Sequence, residues 1–229
     1  MNPAGIGADD LLSRPIVLVV ALAVVSLLPF AFMTVTAFVK IATVLQIVRS
    51  AIGAQSVPSN TIIMALAGAL TILAMAPVGQ EVLDRGAPIF AGVRPHDTAT
   101  LVREGMHAVV DPMRAFLRKN ASDVERGRFL DVAKHARSHA GASASEIAPD
   151  DLTVLIPAFV VTELTEAFGI GFLIYLPFLV IDLVVSNVLL ALGMQMMTPT
   201  QVSLPFKLLL FVAIDGWGLL SRALVAGYS

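Results

Sequence analysis

The charges of this chain are segregated, and that segregation limits the fold more than any other feature. Residues 84–151 hold 20 of the 32 Asp, Glu, Lys and Arg residues, ten acidic and ten basic, and all four histidines. Before them, 15–39 and 50–80 carry no charge at all. Each run is long enough for a helix across a bilayer, which takes about 20 residues. After them, 152–226 is apolar but studded with Glu163, Glu166, Asp182, Lys207, Asp215 and Arg222. The chain is 57% hydrophobic and 14% charged, whereas an ordinary globular domain is about 45–50% apolar and about 25% charged. Such a composition belongs to a membrane protein. A net charge of −2 gives no basis for nucleic-acid binding. The absence of cysteine excludes disulfides, thiolate metal sites and Cys nucleophiles together.

Turn residues divide the chain into an N-terminal tail (1–14), a first helical hairpin (15–92), a polar helical insert (93–150) and a second helical hairpin (151–229). In the tail, Asp9 and Asp10 precede a single Arg14, unlike the basic start of a signal peptide. The apolar run that follows reads as a retained span. The first hairpin pairs long helices over 15–53 and 58–92, turning where Gly53, Ser56 and Pro58 end one helix and start the next. The second pairs 151–196 with 200–227, turning near Thr198-Pro199. In the insert, Leu101, Met106, Val109 and Val110, then Met113, Phe116 and Leu117, mark one amphipathic helix, and Val124, Phe129 and Val132 a second. Ser122 and Glu125 are spaced as a capping box at the start of that second helix. Residues 141–149, GASASEIAP, read as a linker. Lys40, Arg49 and Lys207 favour cytoplasmic hairpin tips by the positive-inside tendency, which places the termini and insert on the far side. The expected fold is all-α.

The acidic residues of the second hairpin pose a physical problem. A charge at the bilayer centre costs about 2.5–3.5 kcal/mol on insertion scales. Glu163 and Glu166 are three apart and share a helix face, with eleven uncharged residues before them and fifteen after. Lys40 and Lys207 are the basic residues embedded in the other apolar helices. The expectation is that the glutamates pair with these lysines, within or between subunits. The competing reading has all of them near helix ends, reaching water along their stems. Asp182 and Asp215 are left between a backbone hydrogen bond and a wet lumen.

Other features are softer. Met194, Met196 and Met197 fall in LGMQMMTP before a Thr-Pro turn. Flexible thioethers suit a deformable seal, and ordinary packing at a helix end explains the spacing as well. Leu-Pro-Phe occurs three times, placing Pro29, Pro177 and Pro205 within or at the edge of apolar helices as candidate kinks. In GIGF, Gly169 and Gly171 lack the third glycine of a phosphate loop and read as a close helix contact or a flex point. His135 and His139 lack the Glu of a zinc-hydrolase helix and read as a solvated face. No motif supports an enzyme, a cofactor or a metal.

The segments FVKIATVLQIVRSAIGAQSVPSN, LAMAPVG, LIPAFVVTELTEAFGIGFLIYLPFLVIDLVVSNVLLALGMQMMTP and SLPFKLLLFVAIDGW closely resemble the FliP/SctR family, the core export-gate proteins of type III secretion. The resemblance covers most of 28–79 and nearly all of 155–217, and the wording YLPFLVIDLVVSN leans toward the injectisome branch over the flagellar one. It implies a homopentamer joined by SctS/FliQ-like and SctT/FliR-like subunits into a helical, conical pore in the bacterial inner membrane. Much of that pore lies on the periplasmic side of the basal body. Unfolded polypeptides pass along its axis, and other subunits supply energy. Met194, Met196 and Met197 then map onto a Met-rich gasket, which Gln195 interrupts where the family often has methionine. Lys40, Glu163 and Lys207 match charged positions linking neighbouring subunits, with Glu166 in the same turn at a more variable position. The alternative from the residues alone is a small-solute or ion-coupled transporter with Glu163, Glu166 and Asp182 as sites on broken helices.

Overall fold

The computed structural model describes residues 15–53, 58–91, 98–139, 147–194 and 196–228, and these residues form helices and turns without strands. The tail 1–14, most of the first turn, the start of the insert and the linker through 146 lie outside the described residues, as does Gln195.

The order is α1 (Pro15–Val35), α2 (Phe38–Ile52), α3 (Asn60–Ala74), α4 (Ala76–Ala91), α5 (Thr98–Asn120), α6 (Asp123–His139), α7 (Leu152–Ala191), α8 (Pro199–Ala213) and α9 (Gly216–Ala226). Three arms expected as single long helices are broken. The chain bends by 70° between α1 and α2, by 54° between α3 and α4, and by 58° between α8 and α9. Each break has a local cause. At the first, the Thr36 hydroxyl donates to the Phe32 carbonyl at 2.6 Å and accepts from the Phe38 N–H at 3.4 Å, a side chain competing for the helical ladder. At the second, Pro77 supplies no N–H to continue α3 and is tolerated in the first turn of α4. At the third, Asp215 adopts a left-handed φ of 51°, a conformation Asp tolerates better than most residues. Gly216 beside it has no room for a side chain, since a Cβ would come within 2.3 Å of the Phe211 ring. The three Leu-Pro-Phe prolines lie elsewhere. Pro29, Pro177 and Pro205 sit inside α1, α7 and α8, and each helix continues through its proline.

The fourth arm, α7, is unbroken over 40 residues, about 60 Å at 1.5 Å per residue and twice the thickness of a bilayer core of about 30 Å. Its two halves have different surroundings. Val154, Leu155, Ala158, Phe159 and Ala167 are buried against α2 and the insert, whereas Phe168, Phe172, Leu173, Leu179, Val180, Leu183 and Val184 are exposed. The exposed stretch from 168 to 190 spans about 34 Å. At the centre of the core, α2 packs most closely on α7 and buries Ile41, Val44, Leu45 and Val48. The described side chains of α1 from Leu18 to Phe32 are exposed and carry no charge.

The insert helices α5 and α6 both pack on α7, and the Phe116 and Phe159 rings meet at 5.6 Å. The capping box expected at Ser122 is half formed. Its hydroxyl accepts from the Val124 N–H, but its own N–H donates to Thr162 Oγ1 at 3.0 Å, and Glu125 pairs with Arg128. Docking onto α7 has supplied the acceptor that Glu125 would have provided.

Candidate functional site

Two lysines on different helices gather the acidic groups of α7. Lys40 projects from α2 into the core, and Glu163 and Glu166 approach it from one face of α7. The Lys40 ammonium lies 3.1 Å from Glu163 Oε1 and 2.6 Å from Glu166 Oε2. Glu163 is fully buried, while the Glu166 side chain is 53% exposed. Oε1 of Glu163 has no hydrogen-bond donor, so Lys40 meets it as a charge off the hydrogen-bonding direction. The other oxygen, Oε2, accepts from the hydroxyl of Tyr228, a buried residue just after α9. Burial, followed by the neighbouring Glu163 carboxylate, pushes the Tyr228 phenol well above its ordinary pKa, so it stays a donor. The Tyr228 ring stacks on Phe116 of the insert at 6.0 Å, and Lys40 Nζ sits 4.5 Å from its centroid. Four parts of the chain therefore close on one carboxylate: α2, α5, α7 and the turn after α9.

Lys207 makes the second junction and meets neither glutamate. It donates to Asp182 Oδ2 at 2.6 Å and to the Ala51 carbonyl at 3.1 Å, near the end of α2. A cation there opposes the negative end of the helix dipole. Ser203, one turn before Lys207 on α8, donates to Asp182 Oδ1 at 2.5 Å. Lys207 and Ser203 are buried. The expected pairing of Lys207 with a glutamate is thus replaced by Asp182, because α8 folds back beside the later half of α7. Both of Asp182's oxygens are held. Ser203 and Lys207, four apart on one face, were the signal for a polar partner there. Tyr228 had no such signal, since nothing in its neighbourhood distinguishes it from a surface tyrosine. Asp215, at the α8–α9 break, pairs with Arg222 on the exposed surface.

The methionines stand apart from both junctions. After α7, Gly193 takes φ 72° and closes the helix as a Schellman turn, its N–H bonding Leu190 O and the Met194 N–H bonding Leu189 O. The chain then turns into α8 at Pro199. Met194 and Met197 are exposed, and Met196 is completely so. The two glycines of GIGF also separate. A Cβ on Gly171 would lie 2.5 Å from Ile47 Cδ1 of α2, whereas one on Gly169 would meet open space. His135 and His139 each place Nδ1 2.8 Å from the carbonyl four residues earlier, those of Asp131 and His135.

This arrangement defines a class: a helical membrane protein whose buried carboxylates are met by lysines of the same chain, with no constellation for catalysis among the described residues. The chain belongs to the FliP family, whose model matches residues 21–224. It is 44% identical to the "Hypersensitivity response secretion protein HrcR" of Ralstonia nicotianae, over 92% of this chain and 96% of that protein. It is 43% identical to the "Yop proteins translocation protein R" of Yersinia pestis, over 92% and 95%. It is 40% identical to the "Flagellar biosynthetic protein FliP" of Caulobacter vibrioides, over 98% and 80%. Proteins of this family are structural parts of the type III secretion apparatus, and the chain is not an enzyme.

Proposed function

We propose that the chain is a core pore-forming subunit of a type III secretion export gate, passing unfolded polypeptides across the bacterial inner membrane. In this reading it assembles as a homopentamer with SctS/FliQ-like and SctT/FliR-like membrane subunits, in the injectisome branch, with the insert on the periplasmic side. The observation that carries it is α7. This one helix is sheathed in protein over its first half, mostly exposed and apolar over its second beyond the face that meets α8, and leads into three exposed methionines. An exposed apolar surface of that length calls for lipid or neighbouring subunits as cover, and soft side chains beyond its end suit a seal that yields to varied cargo. The relatives named for virulence secretion and translocation support the export role. The transporter reading needs carboxylates open to solute, whereas Glu163 and Asp182 are each held by a lysine and a hydroxyl.

Two measurements test the proposal. The tagged chain, extracted from its native host in mild detergent, is expected to run as a large complex with smaller hydrophobic subunits; a solitary chain that transports a solute would overturn it. Replacing Met194, Met196 and Met197 together by Ala is expected to leave the complex at full size while cells leak small ions. Unchanged leak would remove the gasket from the account.

A further inference from the structure

The insert carries a cleft of about 480 Å³ that neither junction explains. Arg114, Arg118 and Lys119 of α5 and Arg126 of α6 line it, with Asp111 and Asp150. The two carboxylates are already engaged. Asp150 lies 3.0 Å from Arg118 and 3.6 Å from Arg126, and Asp111 faces Arg85 of α4 and His107 at 3.9 and 3.8 Å. Arg126 also pairs with Asp123, yet its buried Nε has no acceptor. Arg114 and Lys119 have no acidic partner among the described residues, and both are exposed. Four cations against two committed anions leave the cleft positive, although residues 84–151 as a whole match ten acidic groups with ten basic ones.

Two kinds of anionic surface could answer that charge: a phospholipid headgroup layer or an acidic protein. Position decides between them. Asp150 lies 18 residues before Phe168, where α7 begins its exposed apolar stretch, so the cleft stands about 27 Å along the helix from any bilayer on that stretch. The Debye length at physiological ionic strength is about 8 Å, and a headgroup potential is screened out well before that distance.

We propose that this cleft is a docking site for a carboxylate-rich segment of another protein, held clear of the membrane face. The cleft admits one or two acidic side chains, with Arg114 and Lys119 as the free cations that receive them. The proposal does not depend on the pore reading, because its test requires neither assembly nor secretion.

The test is fluorescence anisotropy of a labelled decaglutamate peptide with the full chain in neutral detergent. Binding is expected to weaken with salt and to fall at least tenfold in R114E/K119E. It should also fall in the milder R114Q/K119Q, which guards against misfolding of the reversal. R114K/K119R should bind as wild type, and R103E, a reversal on the same helix outside the cleft, should change nothing. Equal binding by wild type and both charge-removing variants would overturn the proposal. So would binding of phosphatidylglycerol vesicles that the same variants abolish while the peptide fails to bind.

Discussion

The Lys40–Glu163 junction makes a quantitative prediction. Lys40→Met keeps the length of the side chain and removes its charge, which leaves the fully buried Glu163 carboxylate without a cation. Breaking a buried ion pair from one side costs about 3–5 kcal/mol. The Tyr228 hydroxyl still holds one oxygen, which places the expected loss near the low end, about 3 kcal/mol. For a chain of this size each kcal/mol shifts the melting temperature by about 2–4 °C, so the fall should be roughly 6–12 °C. Glu163→Gln keeps an acceptor for Tyr228 and leaves Lys40 with Glu166 at 2.6 Å; about 1–2 kcal/mol is expected. In the double variant no buried charge is stranded, and its cost should fall short of the sum by about 2 kcal/mol, within the range for contacting residues. Melting of the purified chain in detergent, followed by the fluorescence of Trp217 packed 5.1 Å from Phe211, reads all four states. A Lys40→Met chain melting within 2 °C of wild type, or an additive double variant, would refute the idea that Lys40 neutralises Glu163.

Three further outcomes follow from the same geometry. Tyr228→Phe should cost about 1.5–3 kcal/mol, the worth of a hydrogen bond to a charged group, and Tyr228→Ala more, since it also strips the Phe116 stack; Tyr228→Phe melting at the wild-type temperature would show that the hydroxyl contributes nothing. Lys207→Met should destabilise by about 3–5 kcal/mol, and Asp182→Asn in the same chain should recover part of it, measured by the same melts. Gly171→Ala should cost about 1–3 kcal/mol through overpacking on Ile47, with Ile47→Ala as the relieving partner, while Gly169→Ala should be neutral or stabilising; equal behaviour of the two glycines would place the helix contact wrongly.

The sequence disclosed the helical class, the polar insert and the acidic residues that needed partners, because each is a property of composition and spacing. It did not disclose which cation meets which anion. Lys207 and Glu163 look like natural partners on charge alone, yet the fold sends Lys207 to Asp182 and the end of α2. The Leu-Pro-Phe prolines were a misleading guide to bends. Pro177 lies within an unbroken helix, whereas the α1–α2 break comes from a threonine hydroxyl and the α8–α9 break from a left-handed Asp beside the crowded Gly216. Those causes are local hydrogen bonds and close contacts that residue propensity alone does not announce. Tyr228 was hidden for a different reason. Its role arises from Phe116 and Glu163, 112 and 65 residues away in the chain.

The contacts of Tyr228 also order events during synthesis. Lys40 leaves the ribosome first, its glutamate follows 123 residues later, and the phenol that completes the pocket comes 65 residues after that. Until then α2 holds a lysine with nothing to neutralise it, and α7 then holds a carboxylate with one oxygen unclaimed. A nascent chain halted before the tyrosine would carry an open polar wound in its centre, because the phenol is the last of these three groups to be made.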